Sequence, residues 1–310
     1  MKVEADSTIV FMGSPEFAAP VLRALNDRYR LAGVVTQPDR PSGRGRTLKP
    51  PPVKELALEL RLPFIQPRRL REPEAMDQLR CWAPDLIVVA AFGQILRQEV
   101  LDLPPLGCVN VHASLLPRWR GAAPIQAAIL HGDAQTGVTI MCLDAGIDTG
   151  AMLTQRATPI GRDETAGELS QRLAVLGAEL LIETLPDYLS GRVVPQPQDD
   201  SFATYASTLN KEDGKLDFHR PAAELERQVR AFQPWPGAFF DWHGTLVKVR
   251  RAAVTGDQTG PIQPPGGRVV YQEKPAICTG EGLLVLEEIQ PAGKRSMSGS
   301  EFLQGARGWA

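Results

Sequence analysis

The chain has 310 residues, 43% hydrophobic and 23% charged, with a formal net charge of −2. That length suits two domains of ordinary size, and the composition excludes a disordered or collagen-like chain. A charge so near neutral exerts no general pull on polyanions, so any basic surface must be local.

In chain order, the stretch from Met1 to Asp6 is polar and lacks the apolar core of a secretion leader. No apolar run approaches membrane-spanning length, so the expected location is the cytoplasm. Thr8 to Met12 is a short apolar strand closed by Gly13, Ser14 and Pro15, and Glu16 to Asn26 has helical periodicity. Ser14 is placed to cap that helix, with Pro15 at its first position. Leu31 to Thr36 is the next strand. From Pro38 to Arg71 nine Lys or Arg stand against three acids, a distinctly basic stretch that can attract a polyanion. Helix over Val53 to Leu60, strand over Leu86 to Ala91, strand over Cys108 to Ala113, helix over Pro124 to Leu130 and strand over Gly137 to Cys142 follow in turn. A long helix from Thr165 to Leu189 closes the series.

Such alternation predicts an α/β fold, Rossmann-like, with a parallel sheet covered by helices on both faces and ligands at the carboxyl ends of the strands. Gly191 to Thr204 holds Pro195, Pro197, Asp199 and Asp200 without periodicity and reads as a linker. Ala222 to Phe232 is helical. Short strand-like runs follow at Ala238 to Trp242, Thr245 to Arg251, Gly267 to Tyr271, Ala276 to Thr279 and Leu283 to Ile289, a spacing that suits a small β-barrel. The expected domains are therefore 1–190, a linker over 191–206, and 207–310. Trp235, between two prolines, reads as a packing anchor. Cys81, Cys108, Cys142 and Cys278 include no Cys-x-x-Cys pair and read as reduced thiols, the last three in apolar runs.

The chemistry concentrates between Gly107 and Gly150. Asn110 and His112 are two apart in an expected strand, so their side chains share a face, and Ser114 continues that face if the strand extends. Taken alone, the pair reads as well as a hydrogen-bonded core amide and ring. Asp148, between Gly146 and Gly150, is by default a turn former. Together the three offer an amide, an imidazole and a carboxylate, a set that suits direct transfer of an acyl group to an amine. Trp119 and Arg120 read equally as stacking or anion contacts and as a structural turn. The pair Lys294 and Arg295 is a weak second basic feature. The four histidines form no His-Glu-x-x-His, no phosphate-binding Gly-rich loop precedes a Lys, and no Gly-x-Ser-x-Gly elbow is present.

Asn110-Val111-His112, the run Ser114-Leu115-Leu116-Pro117-Arg118-Trp119-Arg120-Gly121-Ala122-Ala123-Pro124-Ile125 and the Asp144 to Gly150 loop resemble the folate-dependent formyltransferases. Phe11 to Phe17, Thr36 to Arg46 and Ala231 to Pro236 extend the likeness over nearly the whole chain. The basic loop and the Phe232-Gln233-Pro234-Trp235-Pro236 segment narrow it to members acting on charged tRNA. The resemblance implies that Asn110, His112 and Asp148 are catalytic and that Ser114, Leu115, Leu116 and Pro117 line a folate site. It implies that the Pro38 to Lys49 loop, with Arg40, Arg44, Arg46 and Lys49, enters the acceptor region of a tRNA. It also implies a carboxyl-terminal barrel of oligonucleotide-binding type. The donor would be 10-formyltetrahydrofolate, the acceptor methionyl-initiator tRNA, with no metal in the catalytic step. A monomer is expected. Formyl transfer to a nucleotide or sugar amine is the alternative activity, and a non-catalytic RNA-binding protein the alternative class.

Overall fold

The computed structural model describes residues 7–42, 47–255 and 263–310. It divides into two compact units, one of 1–124, 135–159 and 170–206, the other of 125–134, 160–169 and 207–310.

The first elements are β1 (Thr8–Gly13), α1 (Ala19–Asn26), β2 (Arg30–Val35), the hairpin strands β3 (Arg40–Ser42) and β4 (Thr47–Lys49), α2 (Pro52–Glu59), β5 (Phe64–Ile65), α3 (Pro73–Trp82), β6 (Leu86–Ala90) and α4 (Gln98–Leu101). Then come β7 (Cys108–His112), β8 (Arg120–Gly121), α5 (Pro124–Leu130), β9 (Gln135–Cys142), β10 (Met152–Pro159), α6 (Ala166–Leu189) and β11 (Tyr205–Ala206). Seven strands form one sheet in the order β10-β9-β7-β6-β1-β2-β5. Five run parallel, while β9 is antiparallel to β7 and β10 antiparallel to β9. Interior strands β6 and β7 are buried along their whole length, which is why β6 reads as an unbroken aliphatic run. At the sheet edge β10 alternates instead: Gln155, Ala157 and Pro159 are exposed, while Thr154, Arg156 and Thr158 between them are half-buried. Val10, Met12, Ile87 and Val89 join Met76, Leu79, Phe92 and Val100 in a core on one side of the sheet.

Ser14 does not cap the first helix. A 3-10 turn over Glu16–Ala18 intervenes, begun by Pro15. The Ser14 hydroxyl instead accepts from the Gln37 amide at 3.0 Å, stitching the β1 turn to the end of β2.

In the second unit α7 (Ala222–Ala231) and α8 (Gly299–Gly305) pack on an antiparallel sheet of β12 (Ala238–Trp242), β13 (Thr245–Thr255), β14 (Arg268–Tyr271), β15 (Lys274–Cys278) and β16 (Leu283–Pro291). The order is β12-β13-β16-β15-β14, with the short β17 (Met297–Ser298) also on β16. Register shifts on either side of Arg251 bend β13, as bulges do. The core is largely aliphatic and includes an aromatic cluster: Trp242 meets Phe302 at 5.1 Å, Phe302 meets Trp309 at 5.5 Å, and the Trp309 indole donates to the Val269 carbonyl. Trp235 is not part of it. It is 54% exposed, too open for a packing anchor.

Candidate active site

On β7 Asn110 and His112 point to the same face, as a two-residue spacing in a strand requires. The strand stops at His112, and the chain turns sharply from Ala113 onward. Ser114 is fully buried and its hydroxyl donates to the Arg118 carbonyl at 2.6 Å. The Thr139 hydroxyl donates to the Ser114 carbonyl and accepts from the Leu116 amide, so β9 holds the turn from beside. The result sets the Trp119 carbonyl 2.9 Å from His112 Nε2. A carbonyl only accepts, so Nε2 carries the hydrogen and the neutral ring keeps its lone pair on Nδ1.

Nδ1 faces Asp148. The loop carrying that residue leaves β9 after Cys142 and returns into β10 at Met152. Within it the Asp144 carboxylate accepts from the Gly146 amide and the Thr149 hydroxyl. A Cβ on Gly150 would lie 1.9 Å from the Cys142 carbonyl, so only glycine lets the loop close. Asp148 itself adopts φ of 53°, a left-handed conformation that Asp tolerates better than most residues. One carboxylate oxygen, Oδ2, accepts from the Gly121 amide at 2.9 Å. The other, Oδ1, lies 3.5 Å from Asn110 Nδ2 and 3.6 Å from His112 Nδ1. The His112 side chain is 6% exposed and that of Asp148 15%, so water screens the pair little. Chemically the arrangement offers an amide donor beside an imidazole and carboxylate able to share one proton.

The structure therefore gathers Asn110, His112 and Asp148 around a single oxygen, over the face of β7. Of the residues expected to line a folate site, Ser114 and Leu116 are buried and bonded within the turn, while Leu115 and Pro117 are half-buried. Arg40 and Lys49 lie on the β3–β4 hairpin and are exposed, Arg40 donating to the Gln37 side chain. Arg44 and Arg46 lie outside the described residues. Arg295 is paired with Glu301. Sequence reasoning missed the Trp119 carbonyl and the Gly121 amide, which are backbone atoms with no residue letter to mark them. It also missed Gln198, whose amide donates to the carbonyls of Asp148 and Gly150 at 2.8 Å each.

Comparison with known proteins places both units. A formyl transferase family model matches residues 7–185, and the model of the formyl transferase C-terminal domain matches 208–307. The chain is 48% identical over 301 residues to the methionyl-tRNA formyltransferase of Roseiflexus sp. (strain RS-1), covering 96% of this chain and 92% of the relative. It is 51% identical over 299 residues to that of Myxococcus xanthus (strain DK1622), covering 96% and 94%. Among solved structures, an N-formyltransferase from Helicobacter canadensis in complex with folinic acid and dTDP-3-aminofucose aligns with TM-score 0.64 at 18% identity, over 91% of this chain and 98% of that one. The methionyl-tRNA formyltransferase from Clostridium thermocellum aligns with TM-score 0.56 at 17% identity, over 81% and 95%.

Proposed function

The chain belongs to the formyl transferase family, and we propose that it moves a formyl group from a formyl-folate to the α-amino group of methionyl-tRNA. The donor is 10-formyltetrahydrofolate and the acceptor the charged initiator tRNA. The observation that carries the chemistry is the placing of Asp148 Oδ1 between Asn110 Nδ2 and His112 Nδ1.

An α-amine titrates near roughly 8, so a useful fraction is a neutral nucleophile at neutral pH. It attacks the formyl carbon directly, and charge grows on the formyl oxygen. Asn110 Nδ2 donates to that oxygen, a contribution of roughly 3 to 4 kcal/mol for one such donor. The attacking nitrogen then loses a proton to His112 Nδ1, the ring position left unprotonated by the Trp119 carbonyl. Asp148 balances the imidazolium that forms. The same proton passes to the leaving folate nitrogen as the old carbon–nitrogen bond breaks and the new amide remains. Holding both substrates in place supplies about 7 to 11 kcal/mol, and no covalent intermediate is needed.

Half-buried Leu115 and Pro117 offer apolar surface for the donor's ring, while Ser114 and Leu116 hold the turn that presents them. Arg40, Arg44, Arg46 and Lys49 contact tRNA phosphates. We assign the activity to a single chain in the cytoplasm: all three catalytic groups come from one chain. Among the described residues no helix is long and apolar enough to cross a membrane. The test is incubation with formyl-labelled 10-formyltetrahydrofolate and methionyl-initiator tRNA. Acid-stable label on methionine is the expected result; label on a nucleotide or sugar amine offered alongside, with none on the tRNA, would overturn the acceptor.

A further inference from the structure

The stretch 196–206 lies between the two segments that the family models match. It reads as linker, yet it is bonded across the whole site corner. Gln196 exchanges backbone hydrogen bonds with Met152, at the exit of the Asp148 loop. Two residues on, the Gln198 side chain donates to the carbonyls of Asp148 and Gly150. Its oxygen accepts from Arg120 Nε at 2.9 Å, so every polar atom of that amide is engaged. Arg120 is 1% exposed, and its guanidinium also donates to Asp200 at 2.7 Å and to the Tyr205 hydroxyl. The Thr204 hydroxyl accepts from the Trp119 amide and the Thr204 carbonyl from the Arg120 amide. Finally β11 pairs with β8, where a Cβ on Gly121 would stand 2.6 Å from the Ala206 carbonyl.

Each backbone group that fixes the reacting trio is thus tied to this stretch. Trp119, whose carbonyl holds His112, is tied through its amide. Gly121, whose amide holds Asp148 Oδ2, is pressed from the other side by Ala206. Asp148, in left-handed conformation, has its carbonyl caught by Gln198. Arg120 is 1% exposed and three of its five N–H donors go to Gln198, Asp200 and Tyr205, so the anion it meets is a carboxylate of its own chain.

We infer that residues 196–206 form a strap that sets the catalytic geometry, with Gln198, locked by Arg120, as the positioning residue for Asp148. The inference rests on the assignment of Asp148 to the reaction. A misplacement of about 1 Å in a reacting group lowers rate by roughly 100-fold while leaving substrate affinity alone. Gln198→Ala removes the clamp. Gln198→Glu keeps an oxygen for Arg120 but removes the donor to the two carbonyls, so it separates the clamp from the contact with Arg120, whose other carboxylate partner, Asp200, is exposed. Gln198 is half-buried, and thermal unfolding of each variant shows whether the fold is kept at the assay temperature.

The experiment compares kcat and KM for both substrates in wild type, Gln198→Ala, Gln198→Glu, Asp148→Asn and the double variant, with thermal unfolding of each. Expected is a loss of kcat of roughly 10- to 100-fold in both Gln198 variants, read well below the unfolding midpoint, with KM values within about twofold of wild type and a midpoint lowered by the lost hydrogen bonds. In the Asp148→Asn background the Gln198→Ala change is expected to cost about twofold or less, because the two act through one group. Near-normal kcat in Gln198→Ala beside a crippled Asp148→Asn would overturn the strap and leave the site standing. A kcat loss that persists undiminished in the Asp148→Asn background also overturns it. Normal turnover in Asp148→Asn removes the catalytic assignment itself, and the strap with it.

Discussion

Two places in the first unit carry expected function, and they are built on opposite terms. At the Asp148 corner the polar atoms are each held by a partner: Oδ2 by a backbone amide, the loop carbonyl by Gln198, the His112 ring by a carbonyl. On the β3–β4 hairpin Arg40 and Lys49 stand in solvent, and the Arg40 guanidinium donates to a glutamine three residues away. Buried groups in a fixed arrangement act on the transition state, where small displacements are expensive. Exposed cations on a short hairpin act on diffuse negative charge, where one contact among several adds little and salt screens it. The corner is therefore expected to fail steeply and the hairpin gradually.

The steepest test is Asn110→Ala with Asp148→Asn. Each is expected to lower kcat by roughly 100- to 1000-fold, with tRNA affinity within about twofold of wild type. A pair of variants that lost affinity and kept kcat would make the corner a binding site. Next comes Gly121→Ala. Gly121 has φ of 107°, and the added methyl meets the Ala206 carbonyl, so the Gly121 amide is forced away from Asp148 Oδ2. Turnover is expected to fall about 10-fold or more, with a loss of stability of about 1 to 3 kcal/mol from the strained backbone. Unchanged kcat would show that Oδ2 needs no anchor.

Smaller still is the hairpin. Arg40→Ala is expected to weaken tRNA binding by only a few-fold, about 1 kcal/mol, and to lower the slope of log Kd against log salt by about one unit. kcat at saturating tRNA stays unchanged. An unaltered slope would mean that Arg40 touches no phosphate, and a large fall in kcat would erase the contrast between the two places.

The same contrast decides what was legible in the sequence. Strand-forming runs such as Leu86 to Ala90 and the spacing of Asn110 and His112 are side-chain patterns, and both appear in the structure where periodicity put them. Asp148 was legible as a turn former and as one of a trio, and the loop shows both at once. The Trp119 carbonyl and the Gly121 amide were not legible, because any residue supplies those atoms and only the fold says which ones meet. Gln198 was hidden by its setting: Pro195, Pro197, Asp199 and Asp200 lack any period, although the stretch is bonded along its length. Edge strand β10 was obscured because polar residues occupy both of its faces, exposed Gln155 on one and half-buried Thr154, Arg156 and Thr158 on the other. For α8 a signal did exist, the Ser298 to Glu301 capping box, which the structure closes with both bonds.

The least effect on turnover, and the sharpest reading of how rigid the corner is, comes from the thiols. Cys108 lies on β7 on the same face as Asn110 and His112, and Cys81 is exposed at the end of α3. Burial raises the Cys108 thiol to about 12, with the Asp102 and Cys142 charges adding to it, and burial likewise raises Cys142. The thiolate is the reactive form, so at pH 8 an alkylating reagent is expected to modify Cys81 promptly, leave Cys108 untouched and spare turnover. The sign of the linkage follows from the same shift. Above pH 9 the unfolded Cys108 ionises while the folded one stays neutral, so this group costs the fold up to about 1.4 kcal/mol per pH unit between 9 and about 12. Labelling followed by mass spectrometry across that range, beside thermal unfolding, reads both effects. Should Cys108 react at pH 8 as fast as Cys81 in the folded chain, β7 opens on the labelling timescale, and a strand that opens so readily is no platform for a fixed amide and ring.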